Sequence, residues 1–254
     1  MFLAFPVPAG SAPEAVAGAG ALGIEGLSVT MPHKTDVAAV LAGRLSPTAQ
    51  RLGAVNTVVR RGGELWGENT DGAGLLDALR HDEGFDPAGR RCVVVGAGGA
   101  GRAVTLALAE AGAAEVVVAN RTPGRAEAAA ALAGDRGRVG SLDEVGEADL
   151  VVNATPVGMG GAVPGPGHDP AHDLPLDPAR LGPGQLVVDL VYHPPVTPLL
   201  EAARARGATA VNGVGMLVHQ AAHGFRLWTG EEPPLEVMSA AALGGIAHLK
   251  GNSR

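Results

Sequence analysis

The 254-residue sequence is poor in cysteine, lysine and aromatic residues. A single cysteine, Cys92, excludes a disulfide within the chain and is typical of proteins from a reducing compartment. Aromatic residues make up 3% of the chain, and the formal net charge is -7. Because neither a basic stripe nor an aromatic platform is present, the composition argues against a nucleic-acid partner.

Long apolar runs and targeting signals are also missing from the sequence. No run approaches the roughly 18 apolar residues of a membrane span, so we expect no membrane partner. The opening "MFLAFPVPAG" lacks the basic start and the long apolar core of a secretion signal. With 46% hydrophobic residues, the chain can bury one large core or two modest ones. We therefore expect a globular cytoplasmic protein. The oligomeric state stays open, with a homodimer as one alternative.

The order of the apolar patterns predicts an α/β fold. Up to about Arg80, Ala-rich helical stretches alternate with β-type runs, namely "FLAFPV", "GLSVT", "NTVVRRG" and "ELWGEN". The later runs "RCVVVG", "EVVVAN", "DLVVNAT" and "QLVVDLVY" are unbroken and rich in valine, which favours a parallel sheet covered on both faces. "HDEGFDPAGR" between the two regions is the predicted linker, and "GMGGAVPGPGHDPAHDLPLDP" is a predicted loop. A helix from about Val214 to Trp228 and a short Ala-rich terminal helix are predicted to end the chain.

A glycine-rich motif predicts a dinucleotide site. Gly96, Gly98 and Gly101 in "VVVGAGGAGRAV" have the G-x-G-x-x-G spacing, after a predicted strand and at the start of a helix. The first glycine allows a tight turn, the second lets a pyrophosphate approach the backbone, and the third lets helix and strand pack closely. The helix N-terminus then faces the anion. The alternative is a glycine turn without a ligand.

The end of the next predicted strand favours NADP over NAD. A protein that binds NAD usually places a carboxylate here to accept from the ribose 2′-hydroxyl. This chain instead has Asn120, Arg121, Thr122 and Arg125. Two guanidinium groups and a hydroxyl suit a 2′-phosphate. The alternative is that these are solvated residues at the start of a helix, and Cys92 is interpreted as core packing.

Three polar residues in the first part of the chain predict a proton-transfer site. Lys34 in "SVTMPHKTD" falls in the first turn of a predicted helix that Pro32 would begin, where the aligned peptide dipoles disfavour an ammonium group. Only two of the 19 basic residues are lysine, and lysine, unlike arginine, gives up its proton when its surroundings disfavour the charge. Asn56 is predicted inside an apolar strand and Asp71 between a strand and a helix. Taken singly, Asn56 is interpreted as a strand-end hydrogen bonder and Asp71 as a helix cap. Together with Lys34, they suit proton transfer beside a hydride carrier.

Eight sequence blocks, in order and covering nearly the whole chain, resemble the shikimate dehydrogenase family. They are "GLSVTMPHK", "RLGAVNTV", "GENTDGAG", "VVGAGGAGRA", "NRTPGRA", "NATPVGM", "DLVYHPPVTPLL" and "GVGMLVHQAAHGFRLWTG". The resemblance implies reversible NADPH-dependent reduction of 3-dehydroshikimate to shikimate, on the route to chorismate and the aromatic amino acids. It also implies an α/β substrate domain over residues 1–80, an NADP-binding Rossmann domain with a doubly wound parallel sheet over residues 81–213, and C-terminal helices over residues 214–254 that return to the substrate domain.

The resemblance also implies roles for individual residues. Lys34 and Asp71 would be the catalytic pair that handles the proton of the reacting oxygen. The substrate-binding residues would be Thr30, Asn56, Asp71, Gln220 and Tyr192. The NADP-binding residues would be Gly96, Gly98, Gly99, Ala100, Gly101, Asn120, Arg121, Thr122, Arg125, Thr155, Gly213 and Met216.

The chain departs from the family pattern at two places. Family members usually have a further N-terminal strand, a helix and a Ser-x-Ser loop that binds the substrate carboxylate, so we interpret the sequence as starting downstream of the natural start, or else as a fragment. Ser11 lacks the second serine and does not take over that role. The usual asparagine of the "G-x-N-V-T" block is Ser28 here. The missing strand would leave apolar surface and an unpaired sheet edge.

Alternative functions follow from these departures. One is a quinate/shikimate or aminoshikimate dehydrogenase, which would often use NAD; another is a catalytically weak NADP-binding relative. No metal site is predicted, because His168 and His172 lie in a loop that offers no third fixed ligand. His193, His219 and His223 are interpreted as polar contacts or helix-surface residues.

Overall fold

The computed structural model describes residues 1–160 and 174–251, with side chains as far as Ile246. It has two compact units, one of Met1–Asp71 with Ala221–Pro233 and one of Gly72–Gln220 with Pro234–Arg254. No helix within the described part of the chain is long and apolar enough to cross a membrane.

The first unit is a three-stranded antiparallel sheet with helices packed on it. Its strands, in the spatial order β1-β2-β3, are Gly26–Ser28, Thr57–Arg61 and Glu64–Glu68. Its helices are α1 (Ala12–Ala21), α2 (Lys34–Val40) and α3 (Pro47–Leu52). The β2–β3 hairpin turns at Gly62 and Gly63, both at positive φ, which is the geometry of a two-residue turn that matches the strand twist. The core contains Val16, Val37, Leu41, Val55, Val58 and Leu65.

The second unit contains a six-stranded parallel sheet in the order β6-β5-β4-β7-β8-β9. The strands are β4 (Arg91–Val95), β5 (Glu115–Ala119), β6 (Gly137–Val139), β7 (Leu150–Asn153), β8 (Leu186–Asp189) and β9 (Thr209–Asn212). This order reverses between β4 and β7, as in a doubly wound fold, and ligands bind such folds at the carboxyl ends of the strands. The predicted α/β class and Rossmann-type sheet are confirmed.

The helices after the first unit's strands are α4 (Asp71–Asp77) with a π-helical turn over Ala78–Asp82, α5 (Gly99–Glu110), α6 (Pro123–Ala130), α7 (Pro198–Ala205), α8 (Val214–Thr229) and α9 (Leu235–Gly251). Of these, α4, α5, α6 and α7 pack on the parallel sheet, and α9 packs on the start of α8. Short 3-10 turns lie at Ala131–Arg136, Leu142–Glu147 and Pro178–Arg180. Alternate valines of β4, β5, β7 and β8 enter the cores on opposite faces, with Val93 on one and Val94 on the other. Cys92 is buried in the second of these cores, and burial raises the pKa of its thiol to about 12.

Several element predictions were wrong. "FLAFPV" forms no strand; the helix predicted to begin at Pro32 begins at Lys34, after a turn over 31–33. The last helix is 17 residues long instead of short. The compact units divide after Asp71, and the segment Ala221–Pro233 belongs to the first unit. The predicted linker over residues 81–90 and the predicted domain boundaries at residues 80 and 213 stay predictions.

Candidate active site

Lys34 and Asp71 form an ion pair within the first unit. The Lys34 Nζ atom lies 2.6 Å from Asp71 Oδ2. Lys34 is the first residue of α2 and Asp71 the first of α4, so each side chain leaves a helix start. The lysine side chain is 24% exposed and that of the aspartate 7%, so the lysine is partly accessible to solvent and the aspartate is nearly buried. A partly accessible cation held by a buried carboxylate can release and regain a proton without leaving its position.

Asn56 and Thr70 hold the other side of the Asp71 carboxylate. Asn56 Nδ2 donates to Asp71 Oδ1 at 2.8 Å and to Thr70 Oγ1 at 2.9 Å. Asn56 Oδ1 accepts from the Thr70 backbone N at 2.9 Å and from Thr57 Oγ1 at 3.0 Å. All four residues are buried. The amide of Asn56 therefore orients Asp71, because both of its polar atoms are fixed by hydrogen bonds.

Backbone hydrogen bonds bring these sequence-distant residues together. The Val55 N donates to the Lys34 carbonyl at 2.8 Å, and the Val29 N donates to the Asn56 carbonyl at 2.7 Å. At the start of α4, the Asp71 N donates to Asn69 Oδ1 at 3.1 Å, and Asn69 Nδ2 donates to the Ala54 carbonyl at 3.1 Å. The segment before β2 thus lies between the starts of α2 and α4.

The structure changes two details of the predicted cluster. Asn56 precedes β2 rather than lying inside a strand, and this bend lets its amide reach Asp71. Thr30 is exposed in the loop after β1, and the residue at the end of that strand is Ser28, also exposed. Thr70 was not among the predicted site residues, although the polar run "NTD" between a strand and a helix is a signal for a hydrogen-bonded helix start.

The glycine-rich motif forms the predicted strand-turn-helix in the second unit. Gly96 follows β4 with φ of 104°, a conformation that favours glycine. A Cβ atom on Gly101 would lie 2.0 Å from the Gly96 carbonyl oxygen, so only glycine allows this approach of α5 to the strand end. A Cβ on Gly98 or Gly99 would meet nothing within 4 Å, so there is open space beside the loop. Gly99 and Ala100 are the first two residues of α5. This cradle has room for a pyrophosphate.

The predicted 2′-phosphate residues follow β5 at the same end of the sheet. Asn120 Oδ1 accepts from the Ala97 N at 3.2 Å, and its Nδ2 donates to the Thr122 carbonyl at 3.0 Å, so the asparagine connects this loop to the glycine-rich loop. Thr122 is the N-cap residue of α6, and Arg121 and Arg125 are exposed beside it. Two exposed guanidinium groups at a helix start suit an anionic group of a ligand.

The remaining candidates of the second unit lie after β7, after β8 and on α8. Thr155 follows β7 and lies close to Gly96: a Cβ atom added to Gly96 would be 2.9 Å from Thr155 Cγ2. Tyr192 is 40% exposed in the loop after β8. Gly213 and Met216 lie at the start of α8, and Gln220 lies further along it, where its Nε2 donates to the Leu217 carbonyl at 3.0 Å. The structure thus gathers the cofactor candidates at the carboxyl ends of the strands.

The histidines form no metal site in the described residues. His168 and His172 lie outside those residues. Within them, no three His, Cys, Asp or Glu side chains are grouped so that they could hold a metal. His219, 6% exposed on α8, has its Nε2 3.1 Å from Asp82 Oδ1. His193 lies in the loop after β8 and His223 on α8, both half-buried.

Three protein-family models match successive parts of the chain. Residues 1–58 match the shikimate dehydrogenase substrate binding domain, residues 80–157 match shikimate/quinate 5-dehydrogenase, and residues 213–243 match the shikimate 5'-dehydrogenase C-terminal domain.

Similar proteins of known name match nearly the whole chain. The shikimate dehydrogenase (NADP(+)) of Methanopyrus kandleri is 49% identical, with 96% of this chain and 84% of the relative covered. That of Moorella thermoacetica is 47% identical, with 94% and 81% covered.

Solved structures show the same likeness. A crystal structure of shikimate dehydrogenase in complex with NADP+ is 37% identical with a TM-score of 0.84, over 95% of this chain and 84% of that chain. Shikimate 5-dehydrogenase from Thermus thermophilus, in complex with NADP(H) and shikimate, is 41% identical with a TM-score of 0.81, over 94% and 85%.

Proposed function

The chain belongs to the shikimate dehydrogenase family, and from this premise we propose that it catalyses the reversible NADPH-dependent reduction of 3-dehydroshikimate to shikimate, in chorismate and aromatic amino acid biosynthesis. The observation that carries the proposal is the ion pair of Lys34 with Asp71, 2.6 Å long and held on its other side by Asn56. A family member with this pair intact has the groups that the reaction's proton transfer requires.

The first unit supplies the acid-base chemistry in this proposal. When the carbonyl of the substrate is reduced, its bonding electron pair moves to oxygen, and Lys34 Nζ gives that oxygen a proton. Asp71 stabilises the ammonium before the transfer and orients it through the 2.6 Å contact. In the direction of shikimate oxidation, neutral Lys34 accepts the hydroxyl proton. Thr30, Asn56, Gln220 and Tyr192 are proposed to contact the substrate.

The second unit is proposed to bind NADP, which supplies or accepts the hydride when bound. The open space above Gly98 and Gly99 fits a pyrophosphate on the backbone amides at the start of α5. Arg121 and Arg125, both exposed beside the N-cap of α6, would donate to the 2′-phosphate. Thr155, Gly213 and Met216 are proposed to line the rest of the cofactor site.

An assay of the purified chain tests the function. We expect NADP to be reduced when shikimate is added, with a kcat/KM at least about tenfold lower for quinate and for NAD. NAD with quinate as the better pair would identify the quinate dehydrogenase alternative. Tight binding of NADP without turnover of either substrate would support the weak NADP-binding relative and would overturn the proposal.

The remaining predictions from the sequence accompany this proposal. We propose a cytoplasmic location, which the single buried cysteine favours. A homodimer, and domain boundaries at residues 80 and 213, also remain predictions.

A further inference from the structure

We propose that Asp189 is a positioning residue of the NADP site, whose buried side chain fixes the loops after β7 and β8. This inference rests on the proposed NADP-dependent function and assigns a role to a residue that contacts neither substrate nor cofactor. Asp189 is the last residue of β8, and in register beside it is Asn153, the last residue of β7. Both are 0% exposed.

Three neutral donors converge on the Asp189 carboxylate. Asn153 Nδ2 donates to Oδ1 at 2.8 Å, and the Val191 N donates to the same oxygen at 3.1 Å. Thr197 Oγ1 donates to Oδ2 at 2.6 Å. Burial raises the pKa of the Asp189 carboxyl, while the bonds from Thr197, Val191 and Asn153 oppose that rise. Burying a carboxylate among neutral groups costs free energy, so its presence at this point calls for a reason other than core packing.

The first arm of this network reaches the glycine-rich loop. Because a carboxylate is an acceptor only, Asp189 forces the NH2 group of Asn153 toward itself and turns the amide oxygen away. That oxygen, Asn153 Oδ1, accepts from Thr155 N at 3.0 Å and from Thr155 Oγ1 at 2.7 Å. Thr155 in turn packs against Gly96, where a Cβ atom would lie 2.9 Å from Thr155 Cγ2. The orientation of one buried amide thus sets the distance between Thr155 and the glycine-rich loop.

The second arm reaches the start of α8. The bond from the Val191 N to Asp189 fixes the turn that follows β8. The Val191 carbonyl accepts from the Gly213 N at 3.3 Å, and a Cβ on Gly213 would lie 2.2 Å from the Leu190 carbonyl oxygen. Gly213 directly precedes α8, which carries Met216. Asp189 therefore connects the Thr155 loop and the start of α8, two segments proposed to line the cofactor site.

Equilibrium binding of NADP and steady-state kinetics of matched variants test the proposal. Asp189→Ala leaves the three donors without an acceptor, so we expect the NADP Kd and the NADP KM to rise at least about tenfold while the shikimate KM changes less than about threefold. Asp189→Asn keeps an oxygen for Asn153 and Val191, and its NH2 group can donate to Thr197 Oγ1, so we expect an NADP Kd within about threefold of the unchanged chain. Leu108→Ala, a buried core residue in the last turn of α5, is the control for a general loss of stability and should leave the NADP Kd unchanged.

Two results would overturn the inference: an unchanged NADP Kd in Asp189→Ala with only a lower Tm, or an Asn variant as impaired as the Ala variant. If Asp189→Ala does not fold, the variants Thr197→Val and Thr197→Ser replace it, because serine keeps the hydroxyl that donates to Asp189 and valine does not. Equal NADP Kd values for these two variants would overturn the inference. The Kd readout separates the two proposals. If the wild-type chain binds NADP but does not turn over shikimate, the proposed function alone is contradicted. If the wild-type chain turns over shikimate and Asp189→Ala has the wild-type NADP Kd, this inference alone is contradicted.

Discussion

Lys34 Nζ lies 2.6 Å from Asp71 Oδ2, so the ammonium at the start of α2 meets the carboxylate at the start of α4. A cation at a helix N-terminus is electrostatically unfavourable by itself. The carboxylate offsets that cost, and because it is nearly inaccessible to water, it acts on the lysine with little screening. The ion pair with Asp71 thus positions Lys34 Nζ as a proton donor.

The first prediction concerns the proton donor. Lys34→Ala should lower kcat about 10²- to 10⁴-fold, the usual contribution of general acid-base catalysis, and change the shikimate KM by a much smaller factor. Lys34→Arg keeps the charge but not the readily exchanged proton, so kcat should stay low in that variant too. The measurement is steady-state kinetics in both reaction directions.

Arg44→Ala is the control for loss of a positive charge in the same unit. Its guanidinium lies 3.8 Å from Glu64 on the hairpin, so its removal should leave kcat unchanged. A Lys34→Ala variant with normal kcat and a raised KM would show that Lys34 binds substrate and does not transfer the proton.

The second prediction separates two roles for Asn56. If the amide orients Asp71, as its 2.8 Å bond suggests, Asn56→Ala should lower kcat about tenfold or more and reduce the free energy of unfolding by about 1–3 kcal/mol. If the amide only holds a substrate hydroxyl, the shikimate KM should rise with kcat unchanged. Thr57→Val is the matched control, because Thr57 Oγ1 bonds to Asn56 Oδ1 without touching Asp71, and its effect on kcat should be smaller.

The third prediction concerns cofactor choice. Arg121→Ala and Arg125→Ala should each raise the NADP KM about tenfold, as expected for the loss of a charge-assisted hydrogen bond, and leave the NAD KM unchanged. Arg206→Ala, an exposed arginine at the end of α7, is the control for net charge. Equal increases of both KM values would show that these guanidinium groups do not recognise the 2′-phosphate.

The interior of the parallel sheet was predictable from the sequence, and its edges were not. The four inner strands β4, β5, β7 and β8 are buried on both faces and therefore appear as unbroken apolar runs. The edge strands β6 and β9 were missed: "GRV" and "TAVN" are short and only partly buried, so they carry no such run. "FLAFPV" has strand propensity but pairs with no strand among the described residues, and propensity alone does not satisfy backbone hydrogen bonds.

The candidate site was predictable only where its signal is local. Lys34, Asp71 and the glycines lie at element boundaries that the sequence marks by itself. The pair of Asn153 with Asp189 was missed, because this contact depends on which residues the folded chain places side by side. Asp189 ends an apolar run and gives no signal of the Asn153 amide 36 residues earlier.

The last prediction concerns stability in acid. Glu144 lies within an ion-pair network on the second unit, 2.7 Å from Arg91 Nη2 and 3.1 Å from Arg138 Nη1, while Glu115 contacts the same two arginines. Hydrogen bonding by Arg138, and to a smaller extent by the backbone of Ser141, lowers the pKa of Glu144 from 4.5 to about 2. Because the folded-state pKa lies below the unfolded value, the stabilisation is complete above pH 4.5 and is lost as the pH falls toward 2.

Glu144→Gln tests this pH dependence, since glutamine can still accept from the Ser141 N and so keeps the cap of its 3-10 turn. At pH 7 the variant should be less stable by about 1 kcal/mol, a Tm lower by about 2–4 °C. The difference should shrink below pH 4.5, because Glu144 of the unfolded chain then takes up a proton while that of the folded protein stays ionised down to about pH 2, and it should also shrink in about 1 M salt. Glu201→Gln, an exposed glutamate in the first turn of α7, controls for net charge. A Tm difference that stayed constant from pH 7 to pH 3 would show that the Glu144 charge does not contribute to stability, because only an uncharged contact of this side chain is independent of its protonation.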